Sequence, residues 1–382
     1  MLRYCRACVM PETRPGVEFD ENGVCNACNY HRNRSRIDWD ERERALRTIF
    51  ERYASKDGSN YDCIVPVSGG KDSTYQIVKV LELGYNPLAV TSSTCSLSDI
   101  GRKNLENIKA LGVDLIEISM NPAVRHRVNR IALVERGDIS WPEHASIFTV
   151  PIRIAVQMRI PLLIWGENSQ NEYGGPGSDA DKPYLDRRWL ERYGGLLGMG
   201  PEDLSEKYGI DKKHLIQLQY PTDEELKSVG VTGVFLGYYL PWDGMRNFLI
   251  AQGHGFTALG GYVEGSLASY ENLDNYQTGI HDYFKYLKFG FGRATDIACL
   301  HVRNGRMSRK EAMELVKKHD GKFPWTYLGR KIEEILEEID MSLDEFVSLC
   351  DRYTNRNIFK CDEEGRLVKD RFGNLEKLNY DN

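Results

Sequence analysis

The chain has 382 residues, a formal net charge of −6 and 41% hydrophobic residues. That length suits one large domain or two to three smaller ones, and the apolar share is enough to bury ordinary cores, so disorder is not the default. No run of about 18 apolar residues occurs, so no membrane span is expected. The acidic balance speaks against a general nucleic-acid binder, which shows a basic footprint.

The opening MLRYCRACVM lacks the apolar stretch of a secretory leader, so a cytoplasmic, reducing location is expected. Four of the nine cysteines fall in the first thirty residues. Cys5 and Cys8 form one Cys-x2-Cys pair, and Cys25 and Cys28 form another, sixteen residues on. Each pair can bite a tetrahedral metal, and a reducing compartment favours metal over disulfide. Structural zinc is expected, with iron–sulfur as the alternative. Residues 1–36 read as a knuckle without helical period, too small to bury a core, so the metal would supply its folding free energy. Cys63, Cys95, Cys299, Cys350 and Cys361 read as inert thiols.

Residues 37–202 alternate. Leu46, Ile49, Phe50 and Tyr53 recur at helical spacing. CIVPV then reads as a buried strand, STYQIVKVLELG as a helix closed by Gly84, NPLAVTSST as a strand and DIGRKNLENIKALG as a helix closed by Gly112. DLIEIS is a strand, helices run through PAVRHRVNRIALVE and PEHASIFTVPIRIAVQM, and IPLLIWGEN is a fourth strand. This pattern predicts an α/β fold with a parallel sheet covered on both faces, binding ligands at the carboxyl ends of its strands. The long Gly-rich stretch at 173–200 is expected to be functional or mobile, a lid being one reading. Residues 203–382 are expected to be mainly helical and aromatic, ending in a hairpin.

Ser68-Gly69-Gly70-Lys71-Asp72-Ser73 lies between the first strand and its helix. Glycines let the backbone approach an anion, and the helix start offers N–H groups and a positive dipole end. Ser68 and Ser73 add hydroxyls, Lys71 a mobile positive charge, and Asp72 a ligand for a metal on the phosphates. This describes a phosphate cradle, although the Walker spacing is absent. Gly166, Glu167 and Asn168 close the fourth strand on the same edge. Later, His281, Lys285 and Lys288 fall on one helical face near Arg293, which predicts a positive surface for an anionic sugar or diphosphate.

SGGKDS resembles the signature of the PP-loop ATP pyrophosphatases. It matches at Ser68, Gly69, Gly70, Asp72 and Ser73, with Lys71 where subfamilies vary. The resemblance implies a HUP-like nucleotide-binding domain that cleaves ATP to AMP and pyrophosphate, with Lys71 and Asp72 catalytic and adenine near Thr91, Ser92 and Ser93. Together CRACVMPETRPGVEFDENGVCNAC, VSGGKDSTYQ, WGENSQNEYGG and GIHDYFKYLKFGFGRATDIACLHVRNGRMSR resemble the N-acetyl sugar amidotransferases of bacterial surface-polysaccharide synthesis, over nearly the whole chain. These include the O-antigen and pseudaminic-acid types. That resemblance implies ATP, Mg²⁺ and structural Zn²⁺, and a nucleotide-linked N-acetyl sugar whose acetamido group becomes acetamidino through an O-adenylyl imidate.

No glutaminase signature is visible: Leu2 follows Met1, no Gly-x-Cys-x-Gly occurs, and Cys299 and His301 do not face each other on a helix. Ammonia would therefore come from a partner, which the resemblance implies is a class I glutaminase like that of histidine biosynthesis, with a cyclase-like companion in some cases. The competing reading is a PP-loop tRNA sulfur-transfer enzyme, for which Cys95 at the end of the second strand is the relevant thiol. A non-catalytic scaffold is a third reading, opposed by the intact Lys71-Asp72-Ser73.

Overall fold

A computed structural model describes residues 2–167, 172, 184–185 and 196–378. Between α1 (Asn26–Asn33) and the sheet lies α2 (Trp39–Tyr53), capped by Asp38, whose carboxylate accepts from the Glu41 amide. The sheet begins where the chain turns apolar. β1 (Cys63–Pro66) is buried throughout, α3 (Lys71–Glu82) follows, then β2 (Pro87–Ser93), α4 (Asp99–Ala110) and β3 (Asp114–Ser119). Two consecutive helices, α5 (Pro122–Arg136) and α6 (Trp141–Met158), lead to β4 (Leu162–Trp165).

A strand apolar on both sides must be covered on both. Cys63 and Val65 pack with Leu46, Phe50, Ile77, Val80 and Ile108 from α2, α3 and α4. Ile64, one residue out of phase, packs with Val150, Ile154 and Ala155 from α6 on the opposite face. The spatial order is β3-β2-β1-β4-β6-β5, parallel except for β5 (Tyr184–Leu185), which runs antiparallel to β6 (Thr232–Phe235). The chain leaves β1 in one direction and returns to its other side at β4, so the switch point lies between them, where such sheets bind ligands.

The sheet continues past residue 202. α7 (Pro201–Tyr208) and α8 (Asp223–Val229) precede β6, so the parallel sheet takes its fifth strand from the region read as helical. Thr232–Phe235 is four residues long and runs straight into α9 (Leu236–Tyr239), too short a run for periodicity to reveal. Next come α10 (Gly244–Gly253), α11 (Thr278–Phe289), α12 (Arg293–Arg303), α13 (Arg309–His319), a two-residue ribbon of β7 (Thr326–Tyr327) and β8 (Arg330–Lys331), α14 (Ile332–Glu338) and α15 (Leu343–Tyr353). Ile280, Phe284 and Leu287 of α11 form the centre of this half's core with Ile335, Phe346 and Phe359. The tail makes two successive tight turns, bridging Cys361 to Leu367 and Lys369 to Leu375, where one hairpin was expected.

The N-terminal knuckle is not a free-standing unit. Cys5, Cys8, Cys25 and Cys28 share a buried cluster with Phe291, Ala298, Cys299, Ala312 and Val316 of α12, α13 and the turn before them. Arg14 pairs with Asp296 at 2.6 Å, and Thr13 donates to the Phe289 carbonyl. Helix α1 carries Cys28, where the sequence reading expected no helix.

Candidate functional site

At the carboxyl end of β1 the chain must turn sharply under α4. Gly69 has φ of +82°, and a Cβ there would lie 2.8 Å from the Leu105 backbone nitrogen, so only glycine fits. Gly69→Ala is expected to push the turn off α4 and cost about 1–3 kcal/mol, read as a lower melting temperature. Ser68 Oγ accepts from the Gly70 amide at 3.2 Å, and the Ser73 and Thr74 hydroxyls each donate to the Gly70 carbonyl at 3.0 Å. Gly70 is the N-cap of α3 and supplies no side-chain cap. The amides of the first turn therefore stand at the opening of a cavity of about 120 Å³ lined by Ser68–Ser73, Asn104, Tyr270, Glu271 and Asp274.

Lys71 is not the mobile charge expected. It is 5% exposed, with Nζ 2.6 Å from Asp72 Oδ2 and 2.7 Å from Glu271 Oε1. Burial works to lower its pKa, but the two carboxylates outweigh it and hold the ammonium charged. Asp72 Oδ1 accepts from Asn247 Nδ2 at 2.8 Å, which fixes the carboxylate at the cavity edge.

Gly166 and Glu167 follow β4 on the same edge. A Cβ on Gly166 would touch the Trp242 ring at 3.1 Å and Gln76 Oε1 at 3.2 Å. Burial and the neighbouring Asp72 carboxylate push Glu167 up to about 7, against a smaller opposing pull from Lys71. Asn168 lies outside the described residues. Glu167 is thus neutral below about 7 and anionic above it, so its capacity to hold a divalent cation with Asp72 grows as pH rises through that value. Divalent-cation binding is expected to weaken between about pH 8 and about pH 6, and Glu167→Gln to weaken it and remove that titration; Mg²⁺ titrations across the range check this.

Thr91, Ser92 and Ser93, at the end of β2, line a second cavity of about 110 Å³ with Val67, Ile147, Pro151 and Asn275. Ser68 and Asp274 line both cavities, so the two form one cleft across the end of the sheet. Ser92 Oγ is buried without a hydrogen-bond partner among the described residues, a polar atom that a ligand in this cavity would satisfy.

The same wall carries His144, which sequence reasoning missed. Asp138, in the turn between α5 and α6, places Oδ1 2.8 Å from His281 Nδ1 and Oδ2 3.2 Å from His144 Nδ1. The two imidazoles meet edge to face at 5.1 Å. Burial would raise the Asp138 pKa, but the two histidines hold it well below the usual range. Residues 138, 144 and 281 share no local spacing, so only the fold brings them together.

The expected positive face of α11 is internally neutralised. Lys285 pairs with Asp296 at 2.8 Å and Asp282 at 3.4 Å, and Arg293 with Asp282 at 3.1 Å. Lys288 donates to the Arg136 carbonyl at 2.8 Å, and burial lowers its pKa. His281 is held by Asp138. These partners come from α12 and the α5–α6 turn, so a pattern read along one helix could not show them. Arg293 also lines a cavity of about 290 Å³ with Tyr262, Glu264, Phe323 and Trp325. The Asn272 amide contacts the Asp282–Arg293 pair and reaches the phosphate-side cavity.

The four knuckle sulfurs lie within 4.8 Å of one another, with Cys5–Cys28 at 3.9 Å and Cys8–Cys25 at 3.8 Å. Bonds of about 2.3 Å in a tetrahedron put sulfurs about 3.8 Å apart, so the set fits Zn²⁺. Cys5 Sγ also accepts from the amides of Ala7, Cys8 and Cys25 at 3.4, 3.4 and 3.2 Å. Hydrogen bonds from Cys25, Cys28 and Cys8 hold its thiol well below the usual range, as a metal ligand requires. Arg309 Nε donates to the Cys5 and Cys8 carbonyls at 3.1 and 3.0 Å.

No helix among the described residues is long and apolar enough to cross a membrane. Curated protein sequences give no match. Among solved structures, NMN synthetase from Francisella tularensis is similar at 14% identity and a TM-score of 0.28, covering 51% of this chain and 93% of that one. A predicted subunit of tRNA methyltransferase from Methanocaldococcus jannaschii is similar at 18% identity and a TM-score of 0.24, covering 44% of this chain and 72% of that one. Likeness of this degree says nothing of chemistry. Residues 264–373, which hold α11 to α15, His281 and most of the lining of the 290 Å³ cavity, match the family described as LPS biosynthesis protein WbpG-like, C-terminal domain.

Proposed function

We propose that the chain is an ATP-dependent amidine-forming ligase of surface-polysaccharide synthesis, converting the acetamido group of a nucleotide-linked N-acetyl sugar to acetamidino. The observation that carries this is the cleft itself. An uncapped helix start on a glycine turn stands beside Asp72 and Glu167, and a second cavity with an unsatisfied serine hydroxyl opens from it. The WbpG-like domain supports the polysaccharide context. Asp72 and Glu167 would hold Mg²⁺, which supplies charge neutralisation on the phosphates when bound. The first-turn amides of α3 receive the pyrophosphate as its charge develops, and Thr91–Ser93 bracket the nucleoside. Lys71 is a buried strut that fixes Asp72 and Glu271.

Amides are poor electrophiles, so adenylating the oxygen makes it a leaving group that ammonia can displace. Ammonia would come from a class I glutaminase partner like that of histidine biosynthesis, with a cyclase-like companion in some assemblies. The sulfur-transfer reading is disfavoured at its necessary thiol: burial and Glu143 push Cys95 up to about 12, a poor nucleophile. The test is mass spectrometry of protein, ATP, Mg²⁺ and ammonium with a panel of nucleotide-linked N-acetyl sugars. A product about one mass unit lighter, formed in step with AMP, supports the ligase. AMP formed only with tRNA would move the protein to the sulfur-transfer class.

A further inference from the structure

We propose that His144 accepts the acetamido N–H proton as the amide oxygen is adenylated, with Asp138 as its positioning residue; this rests on the amide-adenylating function proposed above. His144 stands in the cleft wall one turn of α6 before Ile147, beside Thr91–Thr94 and across from Asp274. Its Nδ1 is buried 3.2 Å from Asp138 Oδ2, near enough for charge attraction but not aligned as a hydrogen bond, and Nε2 is the ring nitrogen left for the cleft. Asp138 cannot swing away, because Oδ1 also accepts from the Ser140 amide at 3.0 Å and from His281. Binding adenine calls for apolar walls and backbone groups. It does not call for an imidazole beside a buried carboxylate, whose charge raises the basicity of the ring for proton transfer.

The amidating reaction needs such a group. An amide oxygen is a weak nucleophile until its N–H proton leaves. As the oxygen bonds to the α-phosphorus, the α–β bridging bond breaks and its electron pair departs with pyrophosphate. The N–H pair becomes the C=N bond of a neutral O-adenylyl imidate, and the proton goes to His144 Nε2 and then to solvent. No oxidant or further reactant is required.

The groups facing His144 are Asp138 from the α5–α6 turn, Glu143 on its own helix, Arg125 of α5, His281 of α11 and, in the opposite cleft wall, Asp274, with Lys288 beyond Asp138. Arg125 is neutralised by Glu143 at 2.7 Å. Burial pulls the His144 pKa down, and the Asp138 carboxylate outweighs it, leaving the imidazole above its ordinary value. Asp138→Asn removes that carboxylate, so the low-pH limb governed by His144 is expected to move to lower pH.

The experiment measures initial rates of AMP formation as ATP is varied at saturating Mg²⁺, with an acetamido sugar that the wild-type protein converts. His144→Gln is expected to lower kcat about 10²–10⁴-fold with KM for ATP nearly unchanged. His144→Ala is expected to be partly restored by added imidazole, which a packing role would not give. Asp138→Asn is expected to shift the acid limb. A His144→Gln rate within about threefold of wild type, or a defect confined to KM for ATP, overturns the assignment. Should His144→Gln fail to fold, absence of imidazole rescue in His144→Ala overturns it instead. Wild-type protein that converts no acetamido sugar would overturn the functional reading and this assignment together, a result distinct from an active wild type with an equally active variant.

Discussion

Asp72→Asn is expected to reduce AMP formation at least about 100-fold while the protein stays folded. Asparagine keeps the volume and one acceptor for Asn247, and the buried Lys71 ammonium retains Glu271 at 2.7 Å. What disappears is the negative charge at the mouth of the phosphate cavity, and with it a ligand for the cation that would neutralise the phosphates. Lys71→Ala is expected to act differently. It leaves Asp72 and Glu271 without their shared cation, and losing one partner of a buried ionic group costs about 3–5 kcal/mol. Its inactivity would therefore come with a lower melting temperature. Chromatographic AMP assays and thermal melts of both variants separate the two effects. AMP formation in Asp72→Asn within about tenfold of wild type would remove Asp72 from the chemistry.

The second large effect is expected at the knuckle. Purified under reducing conditions, the protein should carry one zinc per chain, and Cys8→Ser or a strong chelator should remove it. Structural zinc in small knuckles contributes about 10–16 kcal/mol of apparent binding free energy, comparable to the whole stability of a typical domain. The cluster is continuous with Phe291, Ala298 and Val316, so the loss should loosen α12 and α13 as well as residues 1–36. Elemental analysis and near-ultraviolet circular dichroism read the two parts. Metal-free wild-type protein with an unchanged melting temperature would sink the prediction, and a brown protein absorbing near 400 nm would mean iron–sulfur.

Much of the sheet was legible because each strand is a short apolar run between glycine stops. Gly84 and Gly112, at φ of +90° and +89°, end helices where expected. The cradle was legible because its six residues are contiguous. The rest depended on contacts between distant segments. β6 is four residues fused to a helix. His281 and Lys285 read as free cations until Asp138 and Asp296 arrived from elsewhere. Lys71 read as mobile because nothing local announces Glu271, two hundred residues later. Local pattern reports elements, whereas the charge state of a site is set by long-range neighbours.

The grip of Arg309 on the carbonyls of Cys5 and Cys8 spans 304 and 301 residues. A ribosome adds about 5–20 residues per second, so the four thiols emerge roughly 15–60 s before the helices that enclose them exist. During that interval the knuckle is a solvent-exposed chelating hairpin on a growing chain. Zinc captured in that interval would be bound before the surrounding core closes, and a nascent chain short of zinc or exposed to oxidant would reach α12 and α13 with nothing correctly shaped for them to close upon. The segment made first is sealed among the last.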